Sequence, residues 1–202
     1  MIFQDKKVTF DEVKDKIVYV LMRKDEGFAE TLPHVNYLDM MIVFYQSVGD
    51  NGYLPINYAY MKMLGVNEQN LLSVASENTS KLLGYKVCSA MNTIMECLGE
   101  TPSNEDENVP LYIVSNKIHD NGAAVLLYPG FLKALSNKLN CNFYIIPCSM
   151  HEIMIVKNIS DIQLESLKDM IIYVNSTTLP PEDKLSDSLY YYDRETDKVT
   201  IV

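Results

Sequence analysis

A chain of 202 residues, 48% apolar and 22% charged, is long enough for one sizeable core or two small ones, and a single domain is the expectation. Its formal charge of -10 and pI near 4.7 argue against a phosphate-backbone partner, whose counterions are released by clustered Lys and Arg, so DNA, RNA and anionic membrane surfaces are excluded as expected partners. No run approaches the ~18 consecutive apolar residues of a membrane helix, and the opening MIFQDKKVTF lacks the apolar core and cleavage site of a signal peptide, so a cytoplasmic address is expected.

In chain order, Thr9-Phe10-Asp11-Glu12 reads as a capping box, and Val13, Ile17, Val20 and Leu21 follow at helical spacing, predicting a first helix to about Met22. The charged run Arg23 to Glu26 and Pro33 break it. Leu38 to Val48 is rich in β-branched and aromatic residues and ends at Asp50-Asn51-Gly52, so a strand should turn back there onto Tyr53 to Ile56. Asn57 to Leu64 predicts a short helix closed by Gly65. Asn67 caps a longer one, with Leu71, Ala75, Asn78 and Leu82 on one face and Gly84 at its end. Tyr85 to Val87 reads as a brief strand, Ser89 to Leu98 as a helix, and Thr101 to Asn108 as a solvated acidic loop. That loop would join halves 1–100 and 109–202 within the one domain.

Leu111 to Val114 and Ala123 to Tyr128 predict strands around a turn holding Asn121-Gly122. Pro129 opens a helix whose buried stripe is Leu132, Leu135 and Leu139. Phe143 to Ile146 and Ile153 to Val156 are again strands, separated by Pro147-Cys148-Ser149-Met150-His151-Glu152. A capping box at Ser160 to Gln163 opens a helix with Leu164, Leu167, Ile171 and Val174 on one side. Pro180-Pro181 stops it, and Leu189 to Tyr192 with Val199 to Val202 form a closing hairpin. No internal repeat is present. The sum is an α+β fold: a mixed or antiparallel sheet built from hairpins, with helices packed on its faces.

Motifs for chemistry are sparse. His151-Glu152 would begin a zinc-protease motif only with a second His at position 155, which is Ile, so no metal and no cofactor is expected. Cys148 with His151 could pair a nucleophile and a base, but no oxyanion-hole glycine adjoins Cys148. The four cysteines, Cys88, Cys97, Cys141 and Cys148, form no CxxC pair and read as reduced, mostly buried small hydrophobes. Asn116, Lys117, His119, Asp120 and Asn121 read as turn builders. If the helix at Pro129 is a crossover between parallel strands, the Asn116–Gly122 turn lies at one end of the sheet and the 147–152 turn at the other. The candidate site is then the end carrying Tyr128, Ser149, His151 and Glu152, with Cys148 or Ser149 as nucleophile should the protein be a hydrolase. A non-enzymatic binding or protein-interaction module is the leading expectation, its acidic surface suited to a basic protein partner.

Asn116-Lys117, Asn121-Gly122-Ala123-Ala124, Leu127-Tyr128-Pro129-Gly130 and Ile146-Pro147-x-Ser149-x-His151-Glu152 together resemble the domain-of-unknown-function 5688 family of bacterial, largely clostridial, proteins. The likeness extends to Val13 through Val18, Leu64-Gly65-Val66, Ala75-x-x-Asn78-Thr79, Leu185-Ser186-Asp187 and Tyr191-Tyr192-Asp193. The resemblance implies a shared fold and a bacterial cytoplasmic origin, and it brings no assigned activity, cofactor or ligand. Two departures stand out: the segment before the Val13 helix is short here, and Cys148 occupies a position where Ser is usual.

Overall fold

The structure, a computed structural model, describes residues 8–24, 27–49, 52–90, 111–147, 149–158 and 163–202. Within them two antiparallel sheets turn their apolar faces toward one core. The first holds β1 (Ile17–Arg23), β2 (His34–Tyr37), β3 (Met40–Ser47) and β4 (Tyr53–Pro55), with β3 central: β1 pairs along one edge, β2 and β4 along the other. The second has six strands in the order β10-β9-β7-β8-β6-β5, from β5 (Lys86–Ser89), β6 (Leu111–Ser115), β7 (Phe143–Ile146), β8 (Ile153–Lys157), β9 (Tyr190–Asp193) and β10 (Lys198–Ile201). Every strand pairing among the described residues is antiparallel. The α+β class therefore stands, with two sheets in place of one.

Period-2 alternation sorts each sheet's side chains between the core and the opposite face. Tyr19, Leu21, Ile42 and Phe44 from the first sheet meet Val114, Ile145, Ile155 and Tyr190 from the second. The far face of the second sheet, through Tyr144, Ile146 and Val156, is covered by α6 (Leu164–Thr177), which seats Ile171 there with Leu164 and Leu167 packed alongside. On the far face of the first, Val20, Met22, Met41 and Val43 gather around Leu32.

The predicted first helix is a correction. Only one turn forms, α1 (Phe10–Val13), followed by a 3₁₀ turn over Lys14–Lys16 and then β1. Ile17 to Met22 is six consecutive apolar residues, all buried; as a strand they serve both core clusters, whereas a helix would turn part of the run to solvent. A second one-turn helix, α2 (Gly27–Glu30), and strand β2 follow, neither of which the sequence reading anticipated.

Two helices sit where the capping residues put them. α3 (Tyr58–Leu64) begins with the Asn57 side chain accepting from the Tyr60 amide and ends at Gly65 with φ 71°. α4 (Glu68–Leu83) begins at Asn67, which exchanges side-chain and backbone hydrogen bonds with Asn70. Its buried stripe is Leu71, Ala75, Thr79 and Leu83, one position round from the expected Asn78 and Leu82. The helix predicted over Ser89 to Leu98, the acidic loop at 101–108 and the capping box at Ser160 lie outside the described residues, save that Ser89 closes β5.

A second correction concerns Ala123 to Tyr128. The segment Gly122–Leu127 is a 3₁₀ helix, with Gly122, Ala123, Ala124, Val125 and Leu126 all buried in the main core. It could not join the second sheet beside β6, because both edges of β6 are already taken, by β5 and by β8. The helix that follows, α5 (Phe131–Leu139), buries Leu132 and Leu135 as expected but is not a crossover between parallel strands. The inference that the two polar turns lie at opposite ends of a sheet falls with it.

Candidate binding site

The turns at 116–122 and 147–152 are in contact. Asn116, fully buried at the end of β6, clamps the first by donating from Nδ2 to the Asp120 carbonyl at 2.6 Å and accepting from the Asp120 amide at 3.3 Å. His119 and Asn121 adopt positive φ, 55° and 52°, which tightens the loop. The second turn then docks on the first. Ser115 Oγ donates to the His151 carbonyl at 2.7 Å, the Ala123 amide to the Met150 carbonyl at 3.1 Å, and the Asn121 amide to His151 Nδ1 at 3.3 Å. Such proximity requires glycine at 122: a Cβ there would lie 2.0 Å from Ser115 Oγ and 2.3 Å from the His151 carbonyl oxygen.

A third segment locks the pair. The 3₁₀ turn Pro181–Asp183 after α6 brings the Asp183 carbonyl to the Met150 amide at 2.8 Å, while Ser186 N donates to the Pro147 carbonyl at 3.1 Å. The His151 ring, 37% exposed, is thereby held between two carboxylates, with Nε2 3.3 Å from Asp183 Oδ1 and Nδ1 3.4 Å from Asp120 Oδ1. Because Nδ1 accepts from the Asn121 amide, the neutral ring carries its proton on Nε2 and donates it to Asp183. Asp120 can accept from Nδ1 only when the ring is doubly protonated. The two carboxylates flank opposite nitrogens and do not converge on one ion. Among the described residues no group of three or more His, Cys, Asp or Glu could hold a metal.

The residues singled out from the sequence are partly brought together. Ser149 is buried and next to His151, but its Oγ accepts from the His151 backbone amide at 3.0 Å rather than facing the ring. Glu152 is half-buried and makes no hydrogen bond to the ring. Cys148 lies outside the described residues. Tyr128 stands apart, lining a cavity of about 520 Å³ with Lys117, Gly84 and the start of α5. Its hydroxyl and that of Tyr19 are buried without a hydrogen-bond partner among the described residues. Burial holds the Tyr19 and Tyr128 phenols far above their ordinary ionisation range, and a smaller push comes from Tyr128 on Tyr19 and from Tyr53 on Tyr128.

Beside the stitched turns opens a cleft of about 410 Å³. Val18, Val20 and Tyr45 from the first sheet form one wall, Tyr53 and Gly52 a second, and Leu83, Ile118 and Met150 close it. Asp120 and Asn121 supply its polar end. Burial raises the Tyr53 phenol, and the Asp120 charge raises it further, so phenol and carboxylate share one electrostatic environment. An apolar pocket of this size with a few fixed polar groups suits a small ligand or a single side chain. Sequence reasoning missed Asp120 and Asp183. The Asp-Asn-Gly signal of the first turn was visible, but Asp183 is 32 residues beyond His151 and has no spacing relation to it.

Residues 3–194 of the chain match the family of unknown function DUF5688. The chain belongs to this family. The matched span takes in β1 to β9, the cleft and both carboxylates that flank His151, and leaves β10 outside. No curated protein and no solved structure matches this DUF5688 member.

Proposed function

We propose that the protein is a binding module that receives a small molecule, or a side chain of a protein partner, in the cleft between Val18, Tyr45, Tyr53, Ile118 and Met150. The observation that carries this reading is that the cleft's polar wall is built in advance. Asp120 and Asn121 are positioned by Asn116 and His151, with the turns docked through Ser115 and Ala123 on the 151 and 150 carbonyls, before any ligand arrives, so little ordering cost falls on binding. A bacterial cytoplasmic setting belongs to the same proposal, and the free thiols of Cys88 and Cys141 are in keeping with a reducing compartment. The net charge of -10 suits a basic partner. Protein-observed NMR with labelled methionine methyls and a fragment set tests the reading. Shifts should concentrate at Met150, and Tyr53→Ala should weaken the binding fragments about tenfold; shifts scattered over the surface, with Met150 unmoved, would set the cleft aside.

The alternative is a hydrolase acting through His151 with Glu152 and Cys148 or Ser149. The contact of Asp183 with the ring favours it, since a carboxylate that orients an imidazole is a common support for a general base. Binding is the better-supported reading for two reasons: the Ser149 hydroxyl is spent on a backbone amide, and Nδ1 already accepts from Asn121.

A further inference from the structure

The charges around the cleft select the kind of ligand it takes. Among the described residues that line it Asp120 is the one carboxylate, and they include no Lys or Arg. One oxygen of this carboxylate is engaged: Oδ1 accepts from Asn121 Nδ2 at 3.0 Å and stands 3.4 Å from His151 Nδ1. The other, Oδ2, has no partner among the described residues, and the side chain is 53% exposed, so this oxygen is able to accept. The walls on either side are aliphatic and aromatic, and a tyrosine ring such as that of exposed Tyr53 attracts a cation over its face.

We propose that the cleft selects a primary ammonium carried on an apolar stem, with Asp120 as the residue that decides the sign of the ligand's charge. The inference rests on the reading of the cleft as a binding site and adds the ligand class. An ammonium would donate to Asp120 Oδ2 while its stem lies against Val18, Val20, Ile118 and Met150. A carboxylate of the same shape would meet an unbalanced like charge, and an alcohol could donate one hydrogen bond but would gain no charge attraction. A free alkylamine and a lysine side chain of a partner protein both carry this chemistry.

Three probes of matched shape separate the possibilities: hexylammonium, 1-hexanol and hexanoate, titrated at neutral pH into the whole protein while the Met150 and Ile118 methyl signals are followed. Hexylammonium should bind about fivefold more tightly than hexanol and hexanoate more weakly than either, as expected for a half-exposed carboxylate aided by aromatic faces. Asp120→Asn keeps the acceptor for Asn121 and should bring hexylammonium to parity with hexanol while hexanol binds as before. Raising salt to about 0.5 M should narrow the same ratio in the unaltered protein, which provides a test independent of the variant. Equal binding of hexylammonium and hexanol, or an ammonium preference that survives Asp120→Asn, overturns the proposal and leaves the cleft a binding site of another class. Failure of all three probes to move Met150 and Ile118 overturns the cleft reading itself, and this proposal with it. A blocked lysine, Nα-acetyl-lysine methylamide, distinguishes the sources: binding on a par with hexylammonium supports a lysine side chain as the ligand, and binding of hexylammonium alone supports a free amine.

Discussion

Asp39 shows how one residue joins the two sheets. It sits in the tight turn between β2 and β3, where Leu38 takes a positive φ of 54°. Its carboxylate accepts from Ser186 Oγ and Ser188 Oγ, each at 2.7 Å, and from the Tyr190 hydroxyl. The segment bearing those serines is itself pinned by buried Asn175 of α6, which donates to the Ser186 carbonyl and to Asp187. Burial pushes the Asp39 carboxyl up, but the donors from Tyr190, Ser186 and Ser188 outweigh it and hold the group below the ordinary carboxylate range. A depressed folded pKa contributes stability that is fully present above the unfolded value, about 3.9, and is lost as pH falls through the folded one. Asp39→Asn should therefore cost about 2 kcal/mol at neutral pH, and the gap to the unaltered protein should narrow as pH falls below about 3.9 and through the lower folded value. Urea unfolding at a series of pH values measures this; a gap that stays constant into acid would show that the charge plays no part. Little of this was legible in the chain. Asp39 lies some 150 residues from its partners, and nothing about an isolated Asp in a turn names the hydroxyls it will meet. The same holds for Asp183 and His151.

At the scale of elements, the edge of β1 is protected by a helix rather than by another strand. Thr79 of α4, fully buried, accepts the Tyr19 amide on its Oγ1 at 3.0 Å and returns its own proton to the Ala75 carbonyl at 2.7 Å. Asn78 donates to the carbonyls of Lys14 and Ile17. Those side chains complete hydrogen bonds that a neighbouring strand would otherwise make, which is one way an exposed edge is kept from recruiting another chain. Thr79→Val keeps the shape but leaves the Tyr19 amide without an acceptor, so it should destabilise the protein by about 1 to 3 kcal/mol. Chemical denaturation reads the loss, and Thr79→Ser, which keeps the hydroxyl, should restore most of it. Most elements among the described residues were announced by local signals: Asn57, Asn67, Gly65 and Gly84 bound α3 and α4, and short apolar runs between polar turns gave β6, β7 and β8. The signals failed where two periodicities compete. Ile17 to Met22 satisfies a helical stripe and a doubly buried strand equally well, and Ala123 to Leu127 offers a strand-like run whose neighbours have no free edge to give it.

In the whole molecule, one apolar cluster runs from Val13 to Tyr192 and draws on both halves of the chain, with the 3₁₀ segment Gly122–Leu127 lying in its midst. A core shared in this way should unfold as one unit, so 1–202 is proposed as a single cooperative domain. Tyrosine fluorescence and far-UV circular dichroism, followed through a guanidinium titration, should give coincident transitions; two separated midpoints would divide the chain near its acidic 101–108 segment. The sequence by itself determined the α+β class, the ends of α3 and α4, the hairpin of β3 and β4, and the family, because each depends on neighbours within a few residues or on composition. The tertiary structure alone decided that there are two sheets, that Ile17 to Met22 is a strand, and that the turns around Asp120 and His151 meet with Asp183 beside a cleft. Those outcomes depend on which strand edges are already occupied and which buried polar groups find each other across the core, and such pairings leave no periodic trace along the chain.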